Sequence, residues 1–282
     1  MFTLKPKFNI LIVFVFFLIT GCASNISNDH NVKAKSDEKT MVVLNHIKFD
    51  KKKEFNDILF KEVMPAYYAY KDSNAEKNKL NDMAANSMRI LLPSNMNEDS
   101  TWTFIMFADP FYEGALYNIG PPLNQKYGEE DANEIFARWS DCFASSQVII
   151  PGISDSKIVK AKSGDKTLVV LNHIKSDKKE EFNSILFDEV MPAYYAYKDS
   201  SEEKNKLNDM AAKSMRILLP SNVNENSNWT FIMLADPFYE GALYNIIPPL
   251  KQKYGEEGAK EVFARWNNCF ASGQILFAGE QK

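Results

Sequence analysis

Apolar and polar residues along this chain switch between a strand-like and a helix-like period, and the whole succession runs through twice. From Thr40 to Ile47 the residues are almost continuously apolar and rich in Val, Leu and Ile, the pattern of a strand buried on both faces. Phe55, Ile58, Leu59, Val63 and Ala66 then recur at helical spacing. They predict an amphipathic helix with Asp50 offered as N-cap and Pro65 expected to kink or end it. A polar helix over about 75–87 leads to two further strands, Arg89–Leu92 and Trp102–Ala108, joined by the turn-rich "PSNMNEDS". After Asp109-Pro110 and a loop broken by Pro121-Pro122, Ala132, Ile135, Phe136, Trp139 and Phe143 mark a second amphipathic helix, and Gln147–Ile150 reads as a last strand. The order β-α-β-β-α-β, with one extra helix, is that of a ferredoxin-like split βαβ unit.

The same succession returns at an offset of 127 residues, the distance from Asp109 to Asp236 in identical "ADPFYEGALYNI" stretches. Without a gap, Thr40–Ile150 aligns with Thr167–Phe277, and roughly four positions in five are identical. Two copies are too few for a solenoid, which needs at least three repeats to bury a core, so each copy is a domain or half of a two-domain unit. The expected division is 1–21 signal peptide, 22–38 tether, 39–150 first domain, 151–165 linker and 166–282 second domain. Even the linker is copied: "VKAKS" stands at 32–36 and at 159–163.

The N-terminus changes where the chain is expected to reside. Lys5 and Lys7 precede an apolar run, Ile10–Ile19, that is short for a permanent span of roughly 20 residues. Leu18-Ile19-Thr20-Gly21-Cys22 resembles a bacterial lipobox, which implies cleavage before Cys22, lipidation of that residue and membrane attachment through the acyl chains. The alternative is a plain secretory signal with an incidental cysteine. The expected location is the bacterial cell envelope, and the outer membrane if the source is Gram-negative, because Ala23 rather than Asp follows the cysteine. The whole chain is 45% hydrophobic and 25% charged with a formal net charge of -4, a balance that gives no electrostatic reason to expect nucleic acid. Cys142 and Cys269 occupy the same position in the two copies, so no disulfide can form within one copy; a bridge between copies is the alternative in an oxidising compartment, and both are expected to be small buried helix residues.

"VVLNHIKFDKKKEF", "RILLP", "TWTFIMFADP" and "KYGEEDANEIFARW" together resemble the antibiotic biosynthesis monooxygenase-like families of the dimeric α+β barrel superfamily, and the likeness covers nearly all of each copy. The resemblance implies an α+β fold in which two ferredoxin-like βαββαβ domains pair sheet to sheet as an intramolecular dimeric α+β barrel, a fused dimer that is monomeric as a whole. It also implies a pocket for a small hydrophobic ligand. Haem degradation occurs in the same superfamily with an asparagine on the first strand and a histidine on a helix. Asn45 and Asn172 match the first loosely, but the second helix has no histidine, so no cofactor is expected.

Candidate chemistry then rests on few residues. His46 and His173, beside Asn45 and Asn172 in mid-strand, are candidate bases or ligand contacts, against a structural reading as hydrogen-bonded core residues. Asp109 with Glu113, and Asp236 with Glu240, follow a strand end and could form an acid-base pair or a weak cation site; the plainer reading is a turn cap and a solvated glutamate. Arg89 and Arg216 each open a strand and could hold an anion or pair with Asp109. Tyr112, Tyr239, Trp102 and Trp229 complete the candidate ligand-binding set. With no CxxC, HExxH, GxGxxG or phosphate loop, zinc and nucleotide sites lack motif support, and no metal is expected. Two functions stay open: a lipid-anchored binding or interaction module, and a cofactor-independent monooxygenase-like enzyme acting on a small aromatic or hydrophobic substrate.

Overall fold

In the computed structural model, residues 39–154 and 161–282 are described, so the expected signal peptide, Cys22 and tether lie outside the described residues. The near-continuous apolar first strand of each copy becomes the inner strand of a sheet, as its two-sided burial requires. Strand β1 (Lys39–Ile47) pairs antiparallel with β3 (Trp102–Ala108) and with β4 (Val148–Ser154), and β2 (Met88–Pro93) lies on the far side of β3. The second copy repeats this with β5 (Lys166–Ile174) between β7 (Trp229–Ala235) and β8 (Ile275–Gln281), and β6 (Met215–Pro220) outside β7. The outer strands then join across the copies, β2 with β8 and β4 with β6, closing one antiparallel barrel in the order β1-β3-β2-β8-β5-β7-β6-β4.

The architecture is thus mixed α+β around a closed eight-stranded barrel. The two apolar sheet faces do meet, but their edges also bond, which removes the unpaired edges that facing sheets would leave. Strand β4 continues past Ile150 to Ser154, into the stretch expected as linker, because its later residues make the seam with β6. Backbones run very close at the other seam. A Cβ at Gly279 would run into the Leu92 carbonyl oxygen, whereas at the equivalent Gly152 its nearest neighbour would be the Leu218 Cβ, at 3.0 Å.

Three cores result. Inside the barrel, Val42, Leu44, Leu91, Ile105 and Phe107 meet Val169, Leu171, Leu218, Ile232, Leu234 and Phe277. Outside it, each copy packs its helices on its own sheet, with Phe55 stacked on Trp139 at 4.3 Å in the first and Phe182 against Trp266 at 4.4 Å in the second. Each such aromatic pair contributes about 0.5–1.5 kcal/mol beyond the burial of its area.

The first helical segment is α1 (Lys52–Ile58), a wide π-turn (Leu59–Val63) and α2 (Met64–Ala69) in unbroken succession. Pro65 therefore does not end the helix as expected. It falls at the seam where the wide turn interrupts the regular ladder, so its missing N–H removes little. Asp50 does not cap either; it sits in a 3₁₀ turn, Phe49–Lys51, before the helix. The polar helix α3 (Ala75–Ser87) is capped by the Asn74 side chain, which accepts from the Glu76 and Lys77 amides. Helices α4 (Gly120–Tyr127) and α5 (Glu129–Asp141) complete the first copy. In the second copy α6 (Lys179–Ser184), a π-turn (Ile185–Val190), α7 (Met191–Ala196), α8 (Glu202–Ser214) and α9 (Ile247–Cys269) take the same places. Cys142 and Cys269 are buried free thiols, each bonded to the carbonyl of the arginine four residues before it. No helix among the described residues is long and apolar enough to cross a membrane.

Candidate functional site

At one end of the barrel the register brings the arginines and aspartates of both copies together. Arg89 on β2 and Arg216 on β6 turn inward, in step with the barrel-core residues Leu91 and Leu218, and Asp109 and Asp236 follow directly on β3 and β7. Arg89 holds Asp236 of the other copy with two hydrogen bonds, 3.0 and 2.8 Å, and reaches Asp109 at 3.2 Å. Arg216 pairs with Asp109 at 2.7 Å and with Asp236 at 3.0 Å. Thr40 and Thr167 donate their hydroxyls to Asp109 and Asp236, and the Ala161 amide donates to Asp236 at 3.0 Å.

This four-membered network is almost wholly buried and electrically neutral. Burial pushes the Asp236 carboxyl up, but the hydrogen bonds and charge of Arg89, the charge of Arg216 and the Ala161 amide outweigh it and hold it below the usual carboxylate range. The ion-pair reading of Arg89 and Arg216 is the one realised, with partners drawn from both copies. Glu113 and Glu240 take no part: they pair at the surface with Lys39 and Lys166. The acid-base pairs considered for Asp109 with Glu113, and for Asp236 with Glu240, are therefore not assembled. Beside Arg89 and Asp109 lies a hollow of about 400 Å³, also lined by Ser87, Pro110 and Tyr112. It brings Arg89 beside Asp109 and Tyr112, which follow it at a distance of 20 residues or more in the sequence.

The histidines sit at the opposite end. Strand alternation sends His46 and Asn45 to different faces. His46 Nδ1 lies 2.9 Å from the Thr103 hydroxyl, which also accepts from Asn97, and the His46 ring stands 6.4 Å from that of Phe277. His173 makes the equivalent contact with Thr230 at 3.0 Å. Burial lowers both imidazole pKa values; for His46 the charge of Asp99 works against that. Asn45 faces the helices. It is fully buried there, donating to the Phe104 carbonyl at 3.2 Å and accepting from Gln147 at 2.6 Å, and Asn172 is held in the same way by Phe231 and Gln274.

The larger recess opens elsewhere. Between α1 and the seam of β2 with β8, a cleft of about 600 Å³ is walled by Phe49, Lys52, Leu92, Pro93, Trp102 and Phe104, with Asp50, Lys53, Glu280 and Lys282 at its margins. The Lys52 ammonium lies 3.5 Å from the centre of the Trp102 ring and 3.4 Å from the Pro93 carbonyl, and the indole donates to the Phe49 carbonyl at 3.2 Å. Burial lowers the Lys52 pKa. Of these residues only Trp102 was singled out from sequence. Lys52 was hidden in the run "KKK", which reads as a solvated helix face. The one available signal was Phe49, an aromatic residue in an otherwise polar turn.

No family model matches this chain, and no curated protein does. Among solved structures it is similar to an anthrone oxidase-like protein, at 10% identity over 89% of this chain and 95% of the other, with a TM-score of 0.47. It is also similar to a protein of Fusobacterium nucleatum provisionally named a monooxygenase, at 9% identity over 86% and 91% of the two chains and a TM-score of 0.41. A protein of Lactobacillus acidophilus with the same provisional name matches at 11% identity over 86% and 94%, with a TM-score of 0.37. Likeness at this level assigns no activity to the chain.

Proposed function

We propose that this protein is a binding module of the bacterial cell envelope, tethered through lipid on Cys22, whose two copies pair within one chain to form a monomer. Its ligand seat is the cleft beside Trp102, and the ligand is small and largely apolar. The observation that carries this reading is the cleft itself: an open recess of about 600 Å³ walled by three aromatic rings, Leu92 and Pro93, well within the range for small-molecule sites. The engagement of the candidate catalytic groups supports it. Asn45 and Asn172 have both amide ends bonded, and Asp109 and Asp236 are bound by arginines.

Native mass spectrometry of the full protein extracted from cells tests this. A retained small molecule that is lost on Trp102→Ala is expected; a ligand-free spectrum with and without the substitution sinks the reading. The tether is tested separately: Cys22→Ser should move the protein out of the membrane fraction, and persistent membrane association would refute lipid anchoring.

The hollow beside Arg89, Asp109 and Tyr112 favours a second reading, a cofactor-independent monooxygenase-like enzyme. Oxygen uptake with a small aromatic substrate that falls sharply in Tyr112→Phe, with the fold intact, would place that reading first.

A further inference from the structure

We infer that the cleft of the first copy selects a small aromatic carboxylate, and that the equivalent surface of the second copy does not. The inference rests on the proposed ligand seat and adds the chemistry of what sits in it. Among the described residues Lys52 has no carboxylate partner, although it is partly withdrawn from water against Trp102. Its neighbours at the cleft are already matched, Lys53 with Asp57 at 2.7 Å and Lys282 with Glu280 at 3.4 Å. Asp50 is the remaining acidic group at the margin. A partly desolvated ammonium beside an apolar wall is complementary to an anion carried on an apolar frame, because its charge gains most from a partner that water does not screen.

The frame should be aromatic. Phe49 is 61% exposed at the rim and offers a face for a planar ring to stack on, while the carboxylate of that ring meets the ammonium held over Trp102. The second copy has lost this combination. Lys179 still lies 4.0 Å over Trp229, but Ser176 replaces Phe49, Glu180 replaces Lys53 and Ile153 replaces Glu280. The aromatic rim is gone, and an acidic side chain follows directly after the lysine.

Calorimetric titration of the mature chain with naphthalene-2-carboxylate and with its neutral amide decides the matter. One site per chain is expected, with the carboxylate bound about ten-fold more tightly than the amide, the worth of one charge-assisted hydrogen bond. Lys52→Gln should abolish that preference, Lys52→Arg should keep it, and Lys179→Gln should leave it unchanged. Ser176→Phe with Glu180→Lys should add a second site. Equal binding of acid and amide, both abolished by Trp102→Ala, would overturn the carboxylate inference while the cleft remains a ligand seat. Two equivalent sites in the unmodified chain would overturn the distinction between copies. Binding of neither probe would count against the inference and against the proposed seat together.

Discussion

The two copies are near-identical in sequence and in element order, yet they differ where they meet each other. Inside the barrel, Phe107 of the first copy corresponds to Leu234 of the second, and Ile150 to Phe277. Val42 pairs with both Phe107 and Ile150, and Val169 with both Leu234 and Phe277, so each inner row carries one phenylalanine, on opposite sides of its central valine. The exchange keeps the shared volume while breaking the symmetry. The ionic end differs similarly: the Arg89 side chain is 14% exposed and Arg216 1%. A shared core constrains the sum of two copies and leaves each free to vary, provided the other compensates.

The strongest way to break this comparison is to remove a carboxylate that serves both copies. Asp236→Ala leaves Arg89 and Arg216 short of a partner in a buried site, and should cost about 3–5 kcal/mol in urea unfolding. Arg89→Met should cost less than Arg216→Met, because water already reaches the Arg89 position and can solvate the carboxylates left behind. Equal losses would show that the 14% exposure gives Arg89 no relief.

A smaller effect is expected from making the rows alike. Leu234→Phe alone overpacks the barrel and should cost about 1–3 kcal/mol. Adding Phe277→Ile should return part of that, giving a favourable coupling of about 0.5–2 kcal/mol in a double-mutant cycle. Simple additivity would mean that the two positions do not share one volume.

The smallest effect concerns the histidines, whose charged surroundings differ in the hairpin: Asp99 in the first copy is Asn226 in the second. Both imidazoles have pKa values lowered by burial, so the unfolded chain binds protons that the folded chain refuses. Stability is therefore full above the ordinary histidine value of about 6.5 and falls as pH drops below it. With Asp99 opposing its shift, His46 should protonate first on acidification, and NMR titration of the two rings checks the order. Asp99→Asn should bring the two together.

Much of the fold was legible because periodicity and repetition are local. The strands, the amphipathic helices and the offset of 127 residues follow from which residues recur at which spacing. The seams were not legible, since β2 and β8 are joined by backbone bonds that leave no side-chain signature. The last strand of the first copy reads as ending at Ile150, although Pro151 lies in β4 opposite Met41, where the bonds to β6 have not yet begun. The site was harder still. Arg89 and Asp236 lie far apart in sequence, and the cleft takes residues from a turn, a helix and two copies, so only the closed barrel assembles them.

Closure has a consequence for how the chain is made. Strand β2 emerges early in synthesis, but the partner for its outer edge, β8, comes only after almost all of the second copy. Until then a ready-made first sheet would present a row of unpaired amides and carbonyls, an invitation to any other extended chain nearby. The lifetime of that open ring, set by the slow pairing of segments distant in sequence, governs how often two nascent molecules exchange halves instead of each closing on itself.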